Sequence, residues 1–294
     1  MRRAGVAVGL VVIALLGGCG SGTTPLEAVA GAAAKTTDAR TTKVALTMKS
    51  DSGLFAKGLN ENGAFDLTNR RGRFDIDTSQ FGLPGAQGTV EAIFDYNAGL
   101  VMYMRFPKLA EEMPGKEWMK IDFADLMKGS GIDINSILQS QSGDPTSGLE
   151  QMRGATEVTK VGTEKVRGVD TTHYRVVIDL DKAVRESPAT QRAAMQKLAD
   201  LYTVKELPAE VWLDDAGRVR RYTSTIDTST IKLPAGAQSS ANPITGKMTI
   251  TMEFFDFGTV VDATPPPADQ VVNFQDLLPQ GGSQSFAQVG STIS

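Results

Sequence analysis

Apolar residues recur at every second position through several well-separated stretches of this chain. Val44, Leu46 and Met48 alternate with Lys43, Ala45 and Thr47. Phe65 and Leu67 alternate with Asp66 and Thr68, and Phe74 and Ile76 with Asp75 and Asp77, around a turn at Asn69-Arg70-Arg71-Gly72. A period of two sends one set of side chains to each face, so these stretches predict strands with one face buried and one wet. Residues 90–96 and 100–106 flank Asn97-Ala98-Gly99, a tight hairpin signal, and 118–121 adds a short strand. Strand character resumes at 157–161 and 172–180 around a turn at 167–170. It returns at 209–213, 218–227 and 247–257, the first two joined at Asp214-Asp215-Ala216-Gly217.

Between the strands the period changes. Residues 25–39 predict a helix with Thr24 as cap and Pro25 at the first helical position, and Leu26, Val29, Ala30 and Ala33 on one stripe. Residues 122–128, 132–139 and 145–152 predict short helical pieces separated by Gly, Ser and Asp. Residues 181–202 predict a helix divided at Pro188, with Met195, Leu198, Leu201 and Tyr202 inward. Segments 79–88 and 233–246 read as loops. After Pro265–Pro267, Val271, Val272, Phe274, Leu277 and Leu278 can pack back on the body, and 280–294 reads as a disordered tail. The order is one helix, about six strands, a helical insertion, two strands, a helix and about three strands. That order predicts an α+β fold, and the strict βαβ rhythm of a doubly wound sheet is missing.

The first residues carry a different message. Arg2 and Arg3 precede an apolar run from Val6 to Leu16 that is too short to span a bilayer comfortably. This is the layout of an export signal. Leu16-Gly17-Gly18-Cys19 then resembles the bacterial lipobox, and Cys19 is the single cysteine of the chain. An ordinary cleaved signal ending near a cysteine is the alternative. A lone thiol in an exported protein would invite intermolecular pairing, and a thioether-linked diacylglycerol on Cys19 removes that problem. The expected division is therefore a signal peptide over 1–18, a lipidated tether over 19–24, one domain over 25–279 and a tail over 280–294. The expected location is the outer face of the cell membrane, as an exported, lipid-anchored monomer. Loss of Arg2 and Arg3 with the signal takes the formal charge from −4 to −6. An acidic domain lacks the basic footprint that nucleic acid requires. With no other cysteine, a hydrophobic core must hold the fold, and the chain is long enough to build one.

The residues of catalysis are not assembled in the sequence. His173 is the single histidine, and its strand phase opposes Tyr174, Val176 and Ile178. If those three point inward, His173 lies on the other side. No Gly-x-Ser-x-Gly elbow occurs, and no cluster has metal-ligand spacing. The Asp214–Gly217 run suits a hairpin better than a calcium loop. Arg70, Arg71 and Arg73, or Arg218, Arg220 and Arg221, are candidates for meeting anionic headgroups; a solvated strand face is the plainer reading. No enzyme activity, metal or cofactor is expected.

Several segments resemble the LppX/LprAFG family of actinobacterial lipoproteins, which share the fold of the LolA/LolB lipoprotein carriers. The resemblance is carried by the lipobox, the first helix running through Lys35-Thr36-Thr37 into a strand, and three later segments. Those are Gly168-Val169-Asp170-Thr171-Thr172-His173-Tyr174, Leu207-Pro208-Ala209-Glu210-Val211-Trp212-Leu213-Asp214 and Gly217-Arg218-Val219-Arg220-Arg221. Their order spans residues 25–260. The resemblance implies a strongly curved antiparallel half-barrel with helices across its concave face and an apolar cavity between them that takes lipid or glycolipid acyl chains. A membrane lipid transporter that cooperates with such a carrier is left open as a partner. The strand residues that would line such a cavity are Val44, Leu46, Met48, Phe65, Leu67, Phe74, Ile76, Val176, Ile178, Leu180, Met248, Ile250, Met252 and Phe254. Leu126, Ile134, Ile137, Leu138, Met195, Leu198 and Leu201 would join them from the helices. The same residues would serve as dry core. A surface module that binds a protein instead of a lipid is the alternative function. Gating by 122–139 and 79–88 is a further expectation.

Overall fold

The computed structural model describes residues 23–51, 58–77, 88–97, 99–106, 109–126, 145–232 and 246–277. Its frame is one twelve-stranded, open, curved sheet. The strands are β1 (Thr41–Ser50), β2 (Leu59–Asp66), β3 (Arg71–Asp77), β4 (Thr89–Asp95), β5 (Val101–Arg105), β6 (Trp118–Asp122), β7 (Ala155–Val166), β8 (Val169–Asp179), β9 (Glu206–Leu213), β10 (Val219–Asp227), β11 (Lys247–Phe255) and β12 (Val271–Asn273). Their spatial order is β12-β6-β5-β4-β3-β2-β1-β11-β10-β9-β8-β7. Every pairing is antiparallel except that of β12 with β6. The helices are α1 (Pro25–Thr37), the single turns α2 (Leu109–Glu112) and α3 (Phe123–Leu126), then α4 (Pro145–Gln151), α5 (Leu180–Glu186) and α6 (Ala189–Leu201). Among the described residues no helix is long and apolar enough to cross a membrane.

Local chemistry explains where the elements begin and end. Thr24 and Glu27 form a reciprocal capping box at the start of α1, with Pro25 at its first position. The β7–β8 hairpin turns on Arg167 and Gly168, both at positive φ (49° and 82°). A two-residue turn of that handedness matches the strand twist, so the turn is tighter than the sequence suggests. Asp179 accepts a hydrogen bond from the Lys182 N–H and starts α5. Leu180, expected at the end of a strand, is therefore the first residue of a helix. Leu67 and Thr68, expected to continue β2, lie in a turn. There the Asp66 carboxylate accepts from the Thr68 and Asn69 N–H groups and ends the strand.

The core lies on the sheet face that carries the helices, called inner here. α1 contributes Val29, Ala32 and Ala33, α4 and the turn after it contribute Leu149 and Met152, and these meet Val176, Ile178, Ala209, Val211 and Leu213 of β8 and β9. A second packed group joins Ala183 and Val184 of α5 and Met195 and Leu198 of α6 to Leu207, Ile226, Met248 and Ile250 of β9–β11. Under β2–β4, Phe65, Phe74, Phe94 and Tyr96 form a chain of ring contacts. Gly63 and Gly72 make it possible. A Cβ at either position would come within 2.5 Å of the Phe74 ring, so the rings lie flat across the strands where side chains are missing.

Candidate functional site

The paired register identifies which side chains share the inner face. Leu46 of β1 faces Met252 of β11, which faces Tyr222 of β10, then Val211 of β9 and Tyr174 of β8. One step along, Met48 faces Ile250. Of the residues expected to line a cavity, Val44, Phe65, Leu67, Phe74, Ile76, Val176, Ile178, Leu180, Met195, Leu198, Met248, Ile250 and Phe254 are all buried in the inner core. Leu46, Met48, Leu201 and Met252 are half-buried. So are Phe94 and Met102, which face each other across β4 and β5. Half-buried Leu, Phe and Met on an otherwise closed apolar face are the places where another apolar group can be received, and Met adapts its shape to what it meets. Gly148 of α4 lies above this patch, where an added Cβ would come within 3.1 Å of the Met252 methyl group. The Leu126 side chain, Ile134, Ile137 and Leu138 lie outside the described residues, as do Cys19, the tail and most of both expected gates.

Beside the small hydroxyl residues Thr42, Ser50 and Ser224, the inner face carries a carboxyl. Glu61 faces Leu46 from β2, two residues from Gly63 and four from Phe65. Burial pushes its carboxyl up to about 7, because removal from water disfavours the charged form. Sequence reading missed it. The signal was there: counting back by two from Phe65 reaches Gly63 and then Glu61, on the buried side of the alternation. Among the described residues of β1–β6 and β11, it is the only ionisable side chain whose register places it on this face.

The opposite, outer face has the expected histidine. His173 stacks on Trp212 with ring centroids 4.1 Å apart, between Glu164 and Glu210 at 3.5 and 3.6 Å. The Trp212 indole N–H donates to Glu164. The arginines proposed for headgroups are largely engaged. Arg71 pairs with Asp95 and Arg73 with Glu91. Arg218 and Arg220 both reach Asp214 and lie over the Phe257 ring, and Arg221 pairs with Glu253. Burial pushes the Asp214 carboxyl up, but the Arg218 N–H and the two guanidiniums outweigh it and hold it below the usual range. The hairpin there closes through the Gly217 N–H to the Asp214 carbonyl at 2.7 Å. A separate cleft of about 270 Å³ lies between β6 and the segment after β12; Lys120, Asp122, Asp125 and Asp276 line it, and it offers an acyl chain little to bury against.

No protein-family model matches the chain. Among curated proteins it is similar to the uncharacterized 31.2 kDa protein of the rplA–rplJ intergenic region of Streptomyces griseus, with 26% identity over 81% of this chain and 72% of that protein. It is also similar to a Streptomyces coelicolor protein named as a lipoprotein, with 26% identity over 60% of this chain and 49% of that protein. Similar solved structures include the lipoprotein LppX of Mycobacterium tuberculosis, at 14% identity and a TM-score of 0.43, covering 81% of this chain and 98% of that one. LprF of Mycobacterium bovis is another, at 11% identity and a TM-score of 0.44, covering 82% and 96%.

Proposed function

We propose that this chain is a lipid-anchored carrier of the LppX/LprAFG kind, which shelters lipid acyl chains against the inner face of its sheet and passes them across the cell envelope. The observation that carries this reading is the inner face itself. It is largely apolar across an open twelve-stranded sheet, and it keeps Leu46, Met48 and Met252 half-buried on the central strands β1 and β11, with Phe94 and Met102 half-buried on β4 and β5. Burial of about 0.8 kcal/mol per CH₂ makes a long chain worth on the order of 10 kcal/mol before the costs of ordering are subtracted. Binding and release need no covalent step, so the chemistry required is shape and apolar area. Cys19 would hold the domain at the outer face of the membrane through its lipid, with residues 1–18 removed as a signal and 19–24 as tether. Glycolipids and phospholipids are the cargo classes proposed, handed on with or without a membrane transporter.

Native mass spectrometry with lipid extraction tests this on a secreted chain begun at residue 23, so that the Thr24 cap is kept, and purified without detergent. The expected result is a stoichiometric adduct with the mass of a diacyl or triacyl lipid. A bare mass that stays bare when lipids are offered would sink the carrier and leave a protein-binding module in its place.

A further inference from the structure

Glu61 is an expensive residue in its position. It belongs to β2, whose other strand face presents Asn60 and Asn62, both exposed. A carboxyl on that wet side would keep its water. Here it sits on the apolar side, directly across from Leu46. The register of β2 with β3, carried one residue past Asn62 and Asp75, sets it beside Ile76, which is 3% exposed. Along the inner faces of the two neighbouring strands, β1 presents Val44, Leu46 and Met48, and β3 presents Phe74 and Ile76. No lysine, arginine, histidine or second carboxylate projects toward it from either strand, and desolvation is the only cause of its displaced titration. Glu61 has no hydrogen bond or ion pair among the described residues. Glu61 is half-buried, so a carboxyl held partly out of water without a partner costs folding free energy, and the space over Gly63 beside it is taken by the Phe74 ring.

We propose that Glu61 is the polar recognition point of the acyl-binding face, where it hydrogen-bonds a free hydroxyl of the cargo, so that the preferred cargo is a neutral, hydroxyl-bearing lipid. This rests on the carrier reading and narrows it. A hydroxyl both donates and accepts, so it satisfies the carboxyl whether or not that group carries its proton. An anionic phosphate brought to the same depth would meet no cation on β1, β2 or β3, and burying it unpaired is costly. An ester or ether oxygen only accepts, so it leaves the ionised carboxylate without a donor. The apolar wall supplies affinity, and Glu61 selects among lipids with the same chains.

The full-length chain is purified from actinobacterial membranes in a neutral detergent at pH 8. It is offered equal amounts of 1,2-dioleoylglycerol and the 3-methyl ether of the same lipid, and native mass spectrometry reads the ratio of the two complexes. One hydrogen bond predicts a preference of about tenfold for the alcohol. Glu61→Leu, an apolar side chain among apolar neighbours, should bring the ratio close to one while both lipids still bind. Glu61→Gln, which can still exchange hydrogen bonds with a hydroxyl, should keep most of the preference and guards against a folding defect in the leucine variant. Equal binding of alcohol and ether by the wild-type chain, or an undiminished preference in Glu61→Leu, overturns the role of Glu61 alone. Binding of neither lipid by the wild-type chain overturns the acyl-binding face as well, and the hydroxyl proposal with it.

Discussion

On the inner side of β11, Met248, Ile250, Met252 and Phe254 meet helices and aromatic rings. On its outer side, Lys247, Thr249, Thr251 and Glu253 meet polar neighbours. There the hydroxyls of Thr223 and Thr251 lie 3.1 Å apart and those of Thr225 and Thr249 3.0 Å, while Glu253 takes both Arg221 and Arg167. The two faces are a strand's thickness apart and do different work. The outer face pairs its charges with each other. The inner face holds the fold together and keeps an apolar strip half-buried, where the proposed cargo would lie. The difference teaches that most of the stability and all of the proposed binding should reside on one side, and substitutions on adjacent residues should separate the two.

The largest effect is expected where the inner face is fully closed. Phe65→Ala or Met152→Ala, each at 0% exposure, should cost about 2–5 kcal/mol in urea unfolding, through lost burial and the cavity left behind. Next comes the pair at positions 46 and 47, which point to opposite faces. Leu46→Glu should reduce lipid uptake by more than about tenfold, because a carboxylate would enter the half-buried strip beside Glu61. Thr47→Glu, facing Asn60 and Thr251 outside, should leave uptake unchanged. Equal losses in the two variants would break the comparison.

The pH dependence sharpens it further, because the two faces carry shifts of opposite sign. Burial raises Glu61 from 4.5 to about 7. Its neutral form is favoured in the folded state, so stability should fall as pH rises from about 4.5 through 7. Glu61→Gln should remove a slope of about 1–3 kcal/mol between pH 5 and 8. On the outer side burial also pushes Glu253 up, but its hydrogen bonds from Arg221 and Arg167 hold its carboxyl below the usual value. Its contribution is present at neutral pH and should be lost as pH falls below the ordinary carboxyl value of 4.5. Chemical denaturation across pH 3–8 reads both arms. The smallest effect is expected from Thr225→Ala, whose hydroxyl contact is exposed; stability should change by no more than about 0.5 kcal/mol.

Much of this was legible in the residues. The order of elements, the α1 cap, the break at Pro188 and the outward phase of His173 all follow from period and punctuation. Other features did not show, for identifiable reasons. β7 runs from Ala155 to Val166, longer than 157–161, because as an edge strand it is exposed on most of its length and its alternation is weak. β12 is three residues long and pairs in parallel with β6, a contact set by tertiary packing alone. Leu180 looked like the end of a strand because the Asp179 cap resembles an ordinary polar alternation. Glu61 escaped because a glycine separates it from the aromatic residue that marks its face. The half-buried strip at Leu46, Met48 and Met252 is invisible in principle, since partial burial depends on what the other elements leave uncovered.

Where an acyl chain lies on the protein decides between the two faces. Ultraviolet cross-linking of the protein to a diacyl lipid carrying a diazirine in its chain, with the modified peptides mapped by mass spectrometry, addresses this directly. The predicted result is modification within residues 44–48 and 248–254, competed away by unlabelled lipid. Modification concentrated on the outer-face positions of β9 and β10, around Glu210, Trp212 and Thr223, would contradict it.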